Sequence, residues 1–239
     1  MTPPCSPRSG RSARFLLALS LGLIGAVATV PAEDVPRGTL NVDRDLVRTG
    51  MNSQLDWNIE YPTPKVTDIV DIVPPQRIVP KKKVTMKVRV LGVAFQSGSK
   101  LLPLDAYYSI NGSSWDRFFY GTGPDVEPGK VMLKKRNIAK GSVIDFGARG
   151  WLGRSWAPFH DTTKEDQYVR VLKNGDTAPS YAPAYNQGNI ISFLKPYMDD
   201  RGQVRIGDRD LIILWEASTS SPGSRYFDMQ DLVVLVTFE

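Results

Sequence analysis

Between residues 84 and 95 the chain changes sides at every step. Val84, Met86, Val88 and Val90 are apolar, while Thr85, Lys87 and Arg89 between them are polar. A period of two marks a β-strand with one face buried. The phase then slips by one residue across Gly92, moving the apolar side to Leu91, Val93 and Phe95. Such a slip at a glycine predicts a β-bulge. Asn111-Gly112 next separates Leu104–Ile110 from Trp115–Tyr120. This pair tolerates the positive φ angles of a tight hairpin turn. Counting outward from it sets Tyr108 opposite Trp115 and Leu104 opposite Phe119.

Similar patterns predict strands at 55–61, 66–73, 130–134, 143–150 and 168–173. Leu211–Trp215 and Leu232–Val236 differ, because their apolar residues are consecutive. Both faces of such strands must be buried, which places them centrally in a covered sheet. Only residues 188–200 follow a helical period, through Ile190, Ile191, Phe193, Leu194, Tyr197 and Met198, and Pro196 keeps that helix short. The Pro- and Lys-rich stretch 74–83 is expected to be an extended connection crossing between two sheets. The fold class expected is therefore mostly β, a two-sheet antiparallel β-sandwich with one short helix near 188–200.

The N-terminus carries a different message. Arg8, Arg11 and Arg14 precede an apolar run from Phe15 to Val30, and Val30-Pro31-Ala32 offers small residues for cleavage. That order is the one a secretory signal uses. A membrane anchor fits less well, since a bilayer core needs roughly 20 apolar residues and this run contains Ser20, Gly22, Gly25 and Thr29. Residues 1–32 are expected to be removed after Ala32, leaving 33–239 as one β-sandwich domain in the periplasm or at the outer surface. The sole cysteine, Cys5, and three basic residues would leave with the signal, bringing a net charge of +5 down to +2. No disulfide framework then holds the domain, and its stability must come from a packed core. Lys81-Lys82-Lys83 and Lys134-Lys135-Arg136 are the only basic clusters and read as solvated strand and loop ends. Neither makes the concentrated face a nucleic-acid binder needs.

Catalytic constellations are scarce. A single histidine, His160, excludes polyhistidine metal sites, and no Gly-x-Ser-x-Gly elbow accompanies it. Asp116, Asp125, Glu127, Asp145 and Glu216 could supply the carboxylate pair of a glycosidase only if the fold set two of them about 5–10 Å apart. Calcium is the one cofactor the acidic turns bring to mind, at Asn41-x-Asp43-x-Asp45 and at Asp199-Asp200 with Asp208 and Asp210. Leu46 stands where a calcium loop needs glycine, and arginines interleave the second set. The stretch from Trp151 to His160 is more informative. Trp151, Arg154, Trp156 and Phe159, joined by Tyr181 and Tyr185, place rings and a guanidinium in Gly/Pro-rich loops. Such groups cap a core edge, anchor a protein interface or stack on sugars.

Several segments also carry a family likeness. Leu46–Gly50 leading to Leu55–Ile59, Val66–Val70, Val88–Phe95, Phe193–Trp215 and Phe227–Leu235 resemble secreted proteins of Gram-negative, often mucus-associated bacteria. The resemblance implies an immunoglobulin-like β-sandwich associated with type IV pilus-type surface structures. The matching segments are strands and turns, and none is a catalytic signature. The reading that follows is a non-enzymatic interaction module binding another protein in the envelope or on a surface. A carbohydrate-binding module using the loop aromatics is the alternative, and a glycosidase a distant third. Neither a nucleic-acid partner nor a membrane span after signal removal is expected.

Overall fold

The computed structural model describes residues 37–42, 49, 55–60, 63–179, 194–218, 221–222, 224 and 227–239. The chain divides into two units, Met1–Pro31, which lies outside the described residues, and Ala32–Glu239. In the second unit β1 (Arg37–Val42) and β2 (Leu55–Glu60) form a two-stranded antiparallel ribbon. A short helix, α1 (Val66–Ile69), precedes β3 (Val70–Val73), β4 (Arg77–Pro80), β5 (Val84–Val93), β6 (Gln96–Ser97) and β7 (Lys100–Leu101). Then come β8 (Leu104–Ile110), β9 (Asp116–Gly121), β10 (Leu133–Ile138), β11 (Ile144–Gly150) and β12 (His160–Asp161). The chain ends with β13 (Val169–Lys173), β14 (Asp210–Trp215) and β15 (Leu232–Phe238).

The body is a two-sheet antiparallel sandwich, as the period-two pattern requires. One sheet runs β10-β5-β15-β14-β13 and the other β3-β4-β11-β8-β9, with β12 also paired to β11. Between the sheets lie Met86, Val88, Val90, Leu104, Phe146, Ile213, Trp215, Val234 and Phe238, all with almost no exposed surface. A second apolar layer covers the other side of the five-stranded sheet. There Ile212, Leu214, Val233 and Leu235 pack with Leu194, Val204, Phe227 and Met229. That second layer is the physical reason for the consecutive apolar residues in β14 and β15. Among the described residues no helix is long and apolar enough to cross a membrane.

Local expectations met mixed outcomes. The bulge in β5 is present, where the pairing with β15 shifts between Val233 and Val234 opposite Leu91-Gly92. Asn111 and Gly112 both have positive φ, 56° and 69°, as a tight turn demands. The hairpin register is different from the one counted outward. Tyr108 faces Asp116 and Leu104 faces Gly121. Ser113 extends the turn by bonding back to the Ile110 carbonyl at 3.1 Å, and a further bulge between Ala106 and Tyr107 shifts the rest.

Residues 66–69 are helical rather than extended. Asp68 accepts a hydrogen bond from the Lys65 N–H at 2.9 Å and closes that turn. The strand expected at 130–134 begins only at Leu133, because Lys130 N–H closes a turn onto Glu127. The stretch 74–83 does carry the chain from one sheet to the other, but its Arg77–Pro80 portion is itself a strand. Of the helical segment, Lys195–Tyr197 forms a single 3-10 turn, while 188–193 lie outside the described residues.

Candidate functional site

Strand register builds the site on the outer face of the six-stranded sheet. Inward positions of β8 and β11 are apolar, so the alternate residues must face out. One transverse row is Tyr120 opposite Asp105 opposite Arg149, and the next is Arg117 opposite Tyr107 opposite Gly147. β11 then continues into a hairpin in which Trp151 pairs with Trp156 around a Leu152–Ser155 turn. Trp151 and Trp156 therefore project on the same side as Arg149.

Asp105 is the hub. It is 1% exposed and accepts hydrogen bonds from Arg117 at 3.2 Å and Tyr107 at 2.9 Å, with Arg149 3.7 Å away. Arg149 in turn donates to the Tyr107 hydroxyl at 3.3 Å. Burial first, and then the hydrogen bond to Asp105, push the Tyr107 hydroxyl above its ordinary pKa, so it remains a donor at neutral pH. One buried acid thus orients two arginines that stay partly in solvent.

The rings are held by those arginines and by one another. The Arg149 guanidinium lies 4.5 Å from the Trp156 ring centre, and Arg117 lies 5.4 Å from Tyr120. Trp151 and Tyr120 meet Trp156 edge to face at 5.1 and 6.5 Å. Phe159 packs over Gly147, where a β-carbon would come within 2.3 Å of its ring, and meets Tyr107 and Trp115 edge to face. Tyr120 is 55% exposed and Leu152 41%, while Trp151, Trp156 and Phe159 are half-buried. Arg154 is exposed at the hairpin tip.

Four of the six residues singled out from sequence, Trp151, Arg154, Trp156 and Phe159, thus lie in one region. Tyr181 and Tyr185 lie outside the described residues. Sequence reasoning missed Asp105, Tyr107, Arg117, Tyr120 and Arg149. The only signal for them was the alternation in 104–110 and 144–150, which marks outward positions without saying which strands adjoin.

The other candidates resolve differently. His160 is in strand β12 rather than a loop, and it is buried. Its Nδ1 lies 2.8 Å from Asp166, its ring stacks on Tyr168 at 4.3 Å, and among the described residues no hydroxyl partners its Nε2. Asp145 takes a two-pronged bond from Arg77 at 2.8 and 2.6 Å, Asp125 caps the Thr122 turn, and Glu127 pairs with Lys130. Asp199 is consumed by the N–H groups of Arg201 and Gln203 and by Arg205. Of the first acidic turn, Asp43 and Asp45 lie outside the described residues. No group of three or more His, Cys, Asp or Glu among the described residues is arranged to hold a metal ion.

Glu216 does meet other acids. It accepts the N–H groups of Asp228 and Met229, and its charge acts on Asp231, which accepts the Ala217 N–H at 2.7 Å. Burial pushes Asp231 well above the usual carboxylate range and Asp228 up to about 6. These groups clamp the chain where β14 ends and β15 begins. Comparison with family models, with curated proteins and with solved structures finds no match for this chain.

Proposed function

We propose that the chain is an exported, non-enzymatic β-sandwich module that binds another protein through the Trp151–Trp156–Tyr120 face. The carrying observation is the buried Asp105 hub, which presents Arg117 and Arg149 among partly exposed rings. Aromatic and arginine side chains are the groups that dominate protein interfaces, most strongly when preorganised. A sugar-stacking platform needs open ring faces, and here Arg149 sits against Trp156 and Arg117 against Tyr120. The engagement of Asp145, Asp125 and Glu127 by other groups supports a non-enzymatic reading. The likeness to secreted pilus-associated proteins supports an accessory role at a surface structure, and the N-terminal pattern supports export with cleavage after Ala32.

The test is co-purification from an envelope extract with the wild-type chain and with Trp156→Ala and Arg117→Ala. One stable protein partner, weakened about tenfold or more by either change, is expected. Retention of the partner by both variants would remove the face from the interaction, and glycan-array binding abolished by Trp156→Ala would instead favour sugar recognition. Intact mass of the secreted protein checks export, with Glu33 expected as the first residue.

A further inference from the structure

Two long stretches of the chain contain no acid: 72–104 and 128–144. The fold lays them side by side, because β5 and β10 pair antiparallel. Lys134 falls directly opposite Lys87, a like-charge neighbour that a sheet pair normally avoids. Lys134, Arg136 and Lys140 are exposed, and none has an acidic partner among the described ion pairs, while Lys135, opposite Met86, lies on the other side with its ammonium 6.0 Å from the Tyr108 ring. Two acids border these strands: Glu239, bonded to Lys87 at 2.5 Å, and Asp210, which accepts from the Thr237 hydroxyl at 2.5 Å. The hydrogen bond from Lys87 holds the Glu239 carboxyl below its usual range, and the charges of Lys87, Lys134 and Arg209 add to this.

Lysines on an edge strand often serve only to discourage pairing with another chain. β10 is an edge, but β5 is not. Guarding an edge leaves Lys87 and Arg89 on the inner neighbour unexplained, and Arg89 is fixed there by its bond to Thr237 at 3.0 Å. The positive charge therefore spreads over a face, along a strand of about 20 Å.

We propose that this β5–β10 strip binds an acidic polysaccharide, a linear glycan bearing carboxylate or sulfate groups. A linear polyanion matches an elongated strip, and mobile lysine ammonium groups suit dispersed anionic groups without fixed bidentate geometry. Single-stranded nucleic acid fits less well, because binding it needs rings on which bases stack. The outward residues here are Thr85, Lys87, Arg89, Lys134 and Thr237, with no aromatic among them. The strip is separate from the aromatic face, so either site stands without the other.

The test is equilibrium binding of the full chain to dextran sulfate and to polygalacturonate, with single-stranded DNA and phosphatidylglycerol vesicles in parallel. Both glycans are expected to bind at 50 mM salt, weakening about tenfold or more by 200 mM as counterion release demands. Lys134→Glu/Arg136→Glu is expected to weaken binding at least about tenfold, and the milder Lys134→Gln/Arg136→Gln to weaken it in part. The same charge change placed at Lys100→Glu/Lys164→Glu is expected to have little effect. Circular dichroism establishes that each variant is folded. Failure to bind either glycan at 50 mM salt would overturn the proposal, as would equal losses from the two charge reversals, or tighter binding to DNA or vesicles than to both glycans.

Discussion

The two outer faces of the sandwich obey the same register rules and reach opposite ends. On the five-stranded sheet the outward residues of β14 and β15 are Ile212, Leu214, Val233 and Leu235, and a second apolar layer lies over them. On the six-stranded sheet the outward residues of β8 and β11 include Asp105, Tyr107, Asp145 and Arg149, with Phe159 packed over Gly147. The covered face contributes stability. The open one offers chemistry, and at the aromatic end it does so by burying Asp105 beneath arginines that remain within reach of solvent.

The sharpest way to break this contrast is to cut into the covered face. Leu214→Ala is expected to cost about 3 kcal/mol, comparable to Ile213→Ala on the inter-sheet side, since both leave cavities. Chemical denaturation measures it. A loss under about 1 kcal/mol for Leu214→Ala alone would mean that the second layer is not a true core.

Acidity probes the seam between β14 and β15. Asp228 has its pKa raised to about 6, chiefly by burial and secondarily by the nearby Glu216, against 3.8 when unfolded. The folded state therefore holds a proton that the unfolded chain releases between about pH 4 and 6. Stability should fall as pH rises through that window, with Asp228 contributing about 2–3 kcal/mol, and the more strongly raised Asp231 should carry the fall on above it. Asp228→Asn should lessen the dependence between about pH 4 and 6 and raise the melting temperature at pH 7.5, leaving the contribution of Asp231. Stability that instead rises from pH 4.5 to 6.5 would contradict the buried acid cluster.

Smaller effects belong to the open face. Asp105→Ala frees Arg117 and Arg149, which are already partly solvated, so about 1–2 kcal/mol is expected by thermal denaturation. Trp156→Ala should cost about 1 kcal/mol from its lost ring contacts, while partner binding suffers far more. A stability loss for Trp156→Ala as large as that for Leu214→Ala would make the face structural.

The same contrast explains what could be read in the sequence. The consecutive apolar residues of 211–215 and 232–236 announced burial on both sides, and alternation announced β5, β8 and β11. Asn111-Gly112 fixed the turn but not the register, because Ser113 and a bulge, neither visible as a pattern, moved the strands past one another. The helix Val66–Ile69 was masked by β-branched residues that also suit a strand, its capping by Asp68 being a purely local device. Of the candidate site, the loop rings Trp151, Trp156 and Phe159 were legible because aromatics in turns stand out. Arg149, Asp105 and Tyr120 were not, since only the pairing of three strands puts them in one row.

Hydroxyl-radical footprinting of the full chain, free and with its co-purified partner, tests the open-face reading most directly. Tyr120, Trp151 and Trp156 should oxidise rapidly in the free protein and become protected in the complex, while Trp215 and Phe227 stay inert in both. Rings at 151 and 156 as unreactive as Trp215, or equally reactive with and without the partner, would contradict it.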